Sequence, residues 1–172
     1  MIPIGADLSL SSTGYSGYGE SGVISVSEKG VERLHLISSK LLDFAQNSPD
    51  EPIFIIEGYS FSSRNSQAHS IGELGGVVRY RLWDKGIKFI DVPPTCRAKF
   101  ATGRGNASKN EVMSSVSART GIIFSGKGAD DICDAWILEE IGLHLLGKSR
   151  FTWPALHLDS LAKLDTSLIT SC

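Results

Sequence analysis

The stretch Ile4-Gly5-Ala6-Asp7-Leu8-Ser9-Leu10-Ser11-Ser12-Thr13-Gly14 sets an acid at the end of an apolar start and closes on a Thr-Gly pair. Residues 2–9 read as a β-strand. A carboxylate in such a strand needs a partner. Ser9 or Ser11 offers a local one, through a turn that Asp7 would cap. Otherwise the fold must bring other groups to it.

A second stretch has the same form. Pro52-Ile53-Phe54-Ile55-Ile56-Glu57 is a continuous apolar run that ends in an acid just before Gly58. Such a run suits a central strand buried on both faces. Around these two strands the pattern predicts a hairpin of Ser21–Val26 with Val31–Ile37, turning at Glu28-Lys29-Gly30. A short helix over Ser39–Gln46 is broken by Asn47-Ser48-Pro49-Asp50. A long helix spans Ser66–Lys85 and ends at Gly86. A strand over Ile87–Val92 is stopped by Pro93-Pro94. Ser108 with Glu111 three residues on forms a capping box for a helix through about Arg119. The last strong helix starts at Asp130 or Asp131 and runs to about Leu146. The order predicts one mixed α/β domain over residues 1–148. Residues 149–172 are a tail of ambiguous structure, with a short helix near Leu161, Leu164 and Leu168 as one reading.

Two further acids stand out on the last helix. Asp131 and Asp134 are three residues apart and share a face. Ala135-Trp136-Ile137-Leu138 follow at once, so this is a largely buried helix with an acidic start. Each acid has a local explanation. Glu57 can lie in water at a strand end, and Asp130 and Asp131 can complement the helix dipole. The functional reading requires Asp7, Glu57, Asp131 and Asp134 to meet. Two carboxylates about 5 Å apart repel by roughly 3 kcal/mol at an effective dielectric near 20. Four together need a cation or protons. An all-carboxylate cluster suits a hard, oxygen-loving ion such as Mg²⁺. No His or Cys lies at zinc spacing beside it. Two such ions about 4 Å apart suit phosphodiester hydrolysis.

Composition agrees with one globular domain of ordinary core size. The 172 residues are 41% hydrophobic and 21% charged, with net charge −2. No apolar run approaches the roughly 20 residues of a membrane span. The start Met1-Ile2-Pro3-Ile4 has no basic or apolar leader region, so no signal peptide is expected. Cys96, Cys133 and Cys172 are far apart and in no ligand spacing, which reads as reduced thiols in the cytoplasm. The charge is unevenly spread. Residues 1–60 hold eight acids against three bases, whereas Val92–Asn110 holds no acid. Arg97, Lys99, Arg104 and Lys109 fall in this strip. It reads either as a phosphate-binding face or as a solvated surface.

Four separated motifs resemble the RuvC-type Holliday-junction resolvases of the ribonuclease H-like superfamily, in a phage-like form. They are Asp7-Leu8-Ser9-Leu10-Ser11-Ser12-Thr13-Gly14; Ile55-Ile56-Glu57 with Gly72 downstream; Gly103-Arg104-Gly105-Asn106-Ala107-Ser108-Lys109; and Asp131-Ile132-Cys133-Asp134-Ala135. They cover about residues 2–146, in the family's order and spacing. The resemblance implies a ribonuclease H-like fold: a mixed five-stranded sheet with helices on both faces. It implies a homodimer that cuts four-way DNA junctions by paired symmetric nicks with Mg²⁺ or Mn²⁺, two ions per site. Asp7, Glu57, Asp131 and Asp134 are then the ligands and catalytic groups. Lys109 and Lys99 hold the scissile strand, with Arg104, Arg97, Phe61 and Arg64 as further DNA contacts. If the chain is phage-encoded, it acts in the host cytoplasm.

The sequence departs from the family in places. The usual Pro-Gly after the first acid is Leu8-Ser9. The family's aromatic wedge falls on Ser60, between Tyr59 and Phe61. Lys99 aligns only with a one-residue gap. Asp130 is a spare acid, so the ligand assignment can move by one residue. The Gly72–Trp83 helix is the candidate dimer element, although its glycines also suit close packing on the sheet. Other readings stay open: a nuclease for flaps, forks or RNA–DNA hybrids; an actin-like ATPase, which needs a longer, repeated chain; and a DNA-binding module without catalysis.

Overall fold

The computed structural model describes residues 1–58 and 66–170. Five strands form one sheet in the order β3-β2-β1-β4-β5. They are β1 (Ile2–Asp7), β2 (Thr13–Gly17), β3 (Glu20–Ile24), β4 (Pro52–Glu57) and β5 (Lys88–Val92). β1, β4 and β5 run parallel, and β2 and β3 extend the sheet antiparallel beside β1. This is the mixed five-stranded sheet that the motifs imply.

Helices cover both faces, and the strands show why. In β4, Phe54 and Ile56 point into a core with Leu41 and Leu42 of α1 (Gly30–Gln46) and Leu74, Val78 and Leu82 of α2 (Ser66–Asp84). Ile53 and Ile55 point the other way, into a core with α3 (Pro94–Thr102), α4 (Lys109–Thr120) and α5 (Ala129–Leu145). Alternation along a strand sends neighbours to opposite faces, so a run buried on both sides must be apolar throughout.

Three elements differ from the expectation. Val31–Ile37 is not a strand but the start of α1. Its Leu34, Ile37, Leu41 and Ala45 recur at helical spacing, and Val31 is left 81% exposed. That longer period outweighs the local alternation. The real hairpin is β2–β3, and it turns through Tyr18 and Gly19, both at positive φ. The helix α3 was not foreseen after Pro93-Pro94. Its signals are Pro94 in the first turn and Gly103, in the left-handed region at φ 81°, as its end. The α4 capping box is present as expected, with Ser108 and Glu111 bonded reciprocally.

The residues after α5 are not a loose appendage. They form α6 (Ala155–Leu158), a 3-10 helix (Asp159–Lys163) and α7 (Ser167–Thr170). Trp153 and Leu161 are buried in the core beside α5. Glu140 of α5 is fully buried and accepts hydrogen bonds from the Ser149 hydroxyl, the Arg150 N–H and Nε, and Trp153 Nε1.

Candidate active site

Two glycines let α5 lie at backbone contact with the sheet. A Cβ on Gly5 would stand 1.9 Å from the Ala135 carbonyl oxygen, and one on Gly14 would stand 2.1 Å from that of Asp131. No larger residue fits at either place. Asp7 is two residues after Gly5 in β1 and shares the face that meets α5. It is paired in register with Gly14. The Thr-Gly pair therefore has two tasks. Gly14 admits the start of α5. Thr13, fully buried, ties the β1–β2 turn by accepting from the Ser9 N–H at 3.1 Å and donating to the Ser9 carbonyl at 2.6 Å.

Glu57 arrives by the same logic. Ala6 of β1 pairs with Ile56 of β4, so Asp7 and Glu57 end adjacent parallel strands side by side. Glu57 follows Ile53 and Ile55 on the face toward α5. The carboxyl ends of parallel strands are where open α/β sheets place their sites. The first turns of α5 then add Asp134. Carboxylate oxygens of Asp7, Glu57 and Asp134 lie within 4.8 Å of one another. Asp131 stands outside this trio. Its Oδ1 is 3.6 Å from Lys109 Nζ, which hydrogen-bonds Asp130 at 2.7 Å. The spare acid is thus the main partner of Lys109.

The electrostatics are those of crowded anions. Burial, and then the charges of Glu57 and Asp134, push the Asp7 carboxyl well above the usual range, against the pull of Arg97. Burial pushes Asp134 up to about 6, with Arg97 pulling down and Glu57 adding to the rise. Cys133, beside them on α5, is pushed up to about 12 by burial and is an inert thiol. Burial works against the charged form of Lys109, but its bond to Asp130 and the charges of Asp130, Asp134 and Asp131 outweigh that and raise its basicity.

Arg97 is placed differently from the expectation. It is not on an open basic strip. It is 8% exposed, and its Nε donates to Glu57 Oε2 at 2.6 Å while Nη1 donates to Asp134 Oδ1. The physical reason is its position on α3. Phe100 and Ala101, three and four residues on, are both fully buried, so Arg97 lies on the inward face. That spacing is the signal in the sequence that marks it as an internal residue.

The other bases are more peripheral. Lys99 is half-buried and lines a cavity of about 290 Å³ with Thr95, Gly105 and Lys163. Arg104 is exposed and pairs with Glu111 at 2.7 Å. Phe61 and Arg64 lie outside the described residues. Among the described residues, no helix is long and apolar enough to cross a membrane.

No family model and no curated protein matches the chain. Solved structures do. The Thermus thermophilus RuvC structure is 20% identical, with a TM-score of 0.65 over 88% of this chain and 100% of that one. T. thermophilus RuvC in complex with a Holliday junction substrate is 18% identical, with a TM-score of 0.65 over 88% of this chain and 99% of that one. Sheet order, helical layers and this likeness over nearly the whole length establish that the chain carries the ribonuclease H-like fold of RuvC.

Proposed function

We propose that the chain is a divalent-metal-dependent endonuclease that resolves four-way DNA junctions by paired nicks. The observation that carries this reading is the meeting of Asp7, Glu57 and Asp134 at the strand ends of a RuvC fold. That a solved RuvC binds a Holliday junction supports the substrate class.

The donor set fits Mg²⁺ or Mn²⁺. All three groups offer carboxylate oxygen, and their mutual repulsion is relieved by a cation. Asp7, Glu57 and Asp134 would hold it. Asp131, one turn before Asp134, is the ligand available to a second ion. Such ions supply Lewis acidity to the phosphodiester and to the attacking water. The chain's own residues do the rest. The sheet and α5 fix the carboxylates, so little reorganisation is needed at the moment of reaction. Lys109, with its side chain 58% exposed, can leave Asp130 for a phosphate oxygen of the scissile strand.

A junction has approximate two-fold symmetry, so an isologous dimer would present one site to each of two strands. On α2, Tyr80 and Trp83 are 62% and 71% exposed beside each other, with ring centroids 6.3 Å apart. We assign them to the dimer contact. The reading places the activity in the cytoplasm, the host's if the chain is phage-encoded.

The test is cleavage of a labelled four-way junction beside a duplex and a flap of the same sequences, with Mg²⁺ or EDTA. Paired symmetric nicks in the junction are expected, lost in EDTA and in Asp7→Asn, which retains junction binding. Equal cutting of flaps would widen the substrate to branched DNA. Binding without cutting would leave a non-catalytic junction protein.

A further inference from the structure

Among the described residues, Arg97 is a buried cation that bonds to two of the three carboxylates of the trio at once. Its two donors go to different elements, Nε to Glu57 at the end of β4 and Nη1 to Asp134 on α5. A guanidinium keeps its charge at any accessible pH and presents its donors in a rigid fork. Its charge is therefore a permanent part of the site and is removed only by moving the side chain.

We propose that Arg97 is the internal counter-cation of this site: it offsets one of the two charges of Glu57 and Asp134 in the metal-free protein and competes with a divalent ion for them. The proposal rests on reading the trio as a metal centre. Three ionised carboxylates carry −3, and Arg97 reduces this to −2, the charge that one divalent ion balances. Asp7 has no hydrogen bond to Arg97 among those described, so it is the ligand first open to an ion. On Glu57 and Asp134 the guanidinium holds one oxygen each, Oε2 and Oδ1, so an ion takes those two atoms only as the guanidinium releases them. Lys109 plays the same part for Asp130 and Asp131, but from the exposed rim, where it can swing into water. Arg97 is held by α3 and by the core around Phe100, so it stays near the ion and lowers its affinity. It is a positioning residue, acting through the ligands.

A strut would have the opposite sign. If Arg97 served chiefly to hold Glu57 and Asp134 in ligating geometry, its loss would weaken ion binding. Competition predicts tighter binding.

The test is Mn²⁺ binding to the full chain, read from the electron paramagnetic resonance signal of free Mn²⁺, without DNA. Arg97→Met keeps the apolar stem and removes the charge, and it should bind Mn²⁺ about 10-fold or more tightly than the unaltered protein. Arg97→Lys keeps the charge without the fork and should lie between. Equal or weaker binding in Arg97→Met overturns the proposal. Should Arg97→Met fail to fold, the unaltered protein decides through its Arg97 Nε–H resonance, assigned by its loss in Arg97→Lys. That proton should be protected from exchange in EDTA and lose protection in saturating Mg²⁺, and unchanged protection overturns the proposal. Asp7→Asn separates the two readings. Mn²⁺ binding that is lost in Asp7→Asn but unmoved by Arg97→Met overturns the role of Arg97 alone. No Mn²⁺ binding by the unaltered protein overturns the metal centre and Arg97's role with it.

Discussion

Asp7 and Asp134 are carboxylates that the fold makes hard to ionise. Without metal, each binds its proton more tightly folded than unfolded. For Asp134 the folded state therefore holds more protons from about pH 4 to about pH 6, and stability falls as pH rises through that window. For Asp134, raised from 3.8 to about 6, the loss is up to about 3 kcal/mol. Urea unfolding in EDTA should show it, with Asp134→Asn flattening the profile and Mg²⁺ restoring stability at neutral pH. A pH profile unchanged by Asp134→Asn would show that this carboxyl is not held neutral. Lys109 lies at the other edge of the site. Lys109→Ala should slow junction cleavage on the order of 100-fold and lower the salt slope of binding by about 1. An unchanged slope would remove Lys109 from the phosphate contacts. The four acids were legible as residues because Asp7 and Glu57 end apolar strands and Asp131 and Asp134 share one face of a largely apolar helix. The partner of Arg97 was not, since an ion pair across 40 or 37 positions leaves no local trace.

At the scale of elements, the decisive contact is α5 against β1 and β2. Gly14→Ala would drive a methyl into the Asp131 carbonyl, which stands 2.1 Å from the Cβ position. Backbone cannot yield as a side-chain tip can. We expect a loss of about 3 kcal/mol in urea unfolding, together with a loss of Mn²⁺ affinity in the protein that remains folded, because Asp134 moves with the helix. Ala at Gly19 meets no atom within 4 Å but carries the cost of its positive φ, so it should lose stability without losing affinity. Equal effects on affinity would refute the helix-seating role. Strands β1 and β4 and helix α5 were readable from their apolar patterns, and helix α4 from its capping box. Helix α1 was misread in its first two turns because short alternating and helical patterns overlap there. Helix α3 was missed because a Pro pair signals both a stop and a start.

At the scale of the molecule, the tail and the proposed dimer face stand on opposite kinds of surface. The tail is drawn in by buried Glu140 and by Trp153. The α2 face keeps two large aromatic rings in water, which an ordinary monomer surface seldom does side by side. Trp83→Glu should convert dimer to monomer in sedimentation and uncouple the two nicks of a junction, while leaving Mn²⁺ binding intact. A species unchanged in mass would place the dimer contact elsewhere.

By itself the sequence determined the two central strands that end in acids and the capped helix α4, and it singled out four acids as candidate ligands. These depend on short-range periodicity and on residue chemistry, which can be read along the chain. Only the tertiary structure decided that Asp7, Glu57 and Asp134 form the trio, that Asp131 stays with Lys109, and that Arg97 turns inward between Glu57 and Asp134. Those outcomes depend on sheet register and on how closely a helix can approach two glycines, and both are set by packing across distant parts of the chain.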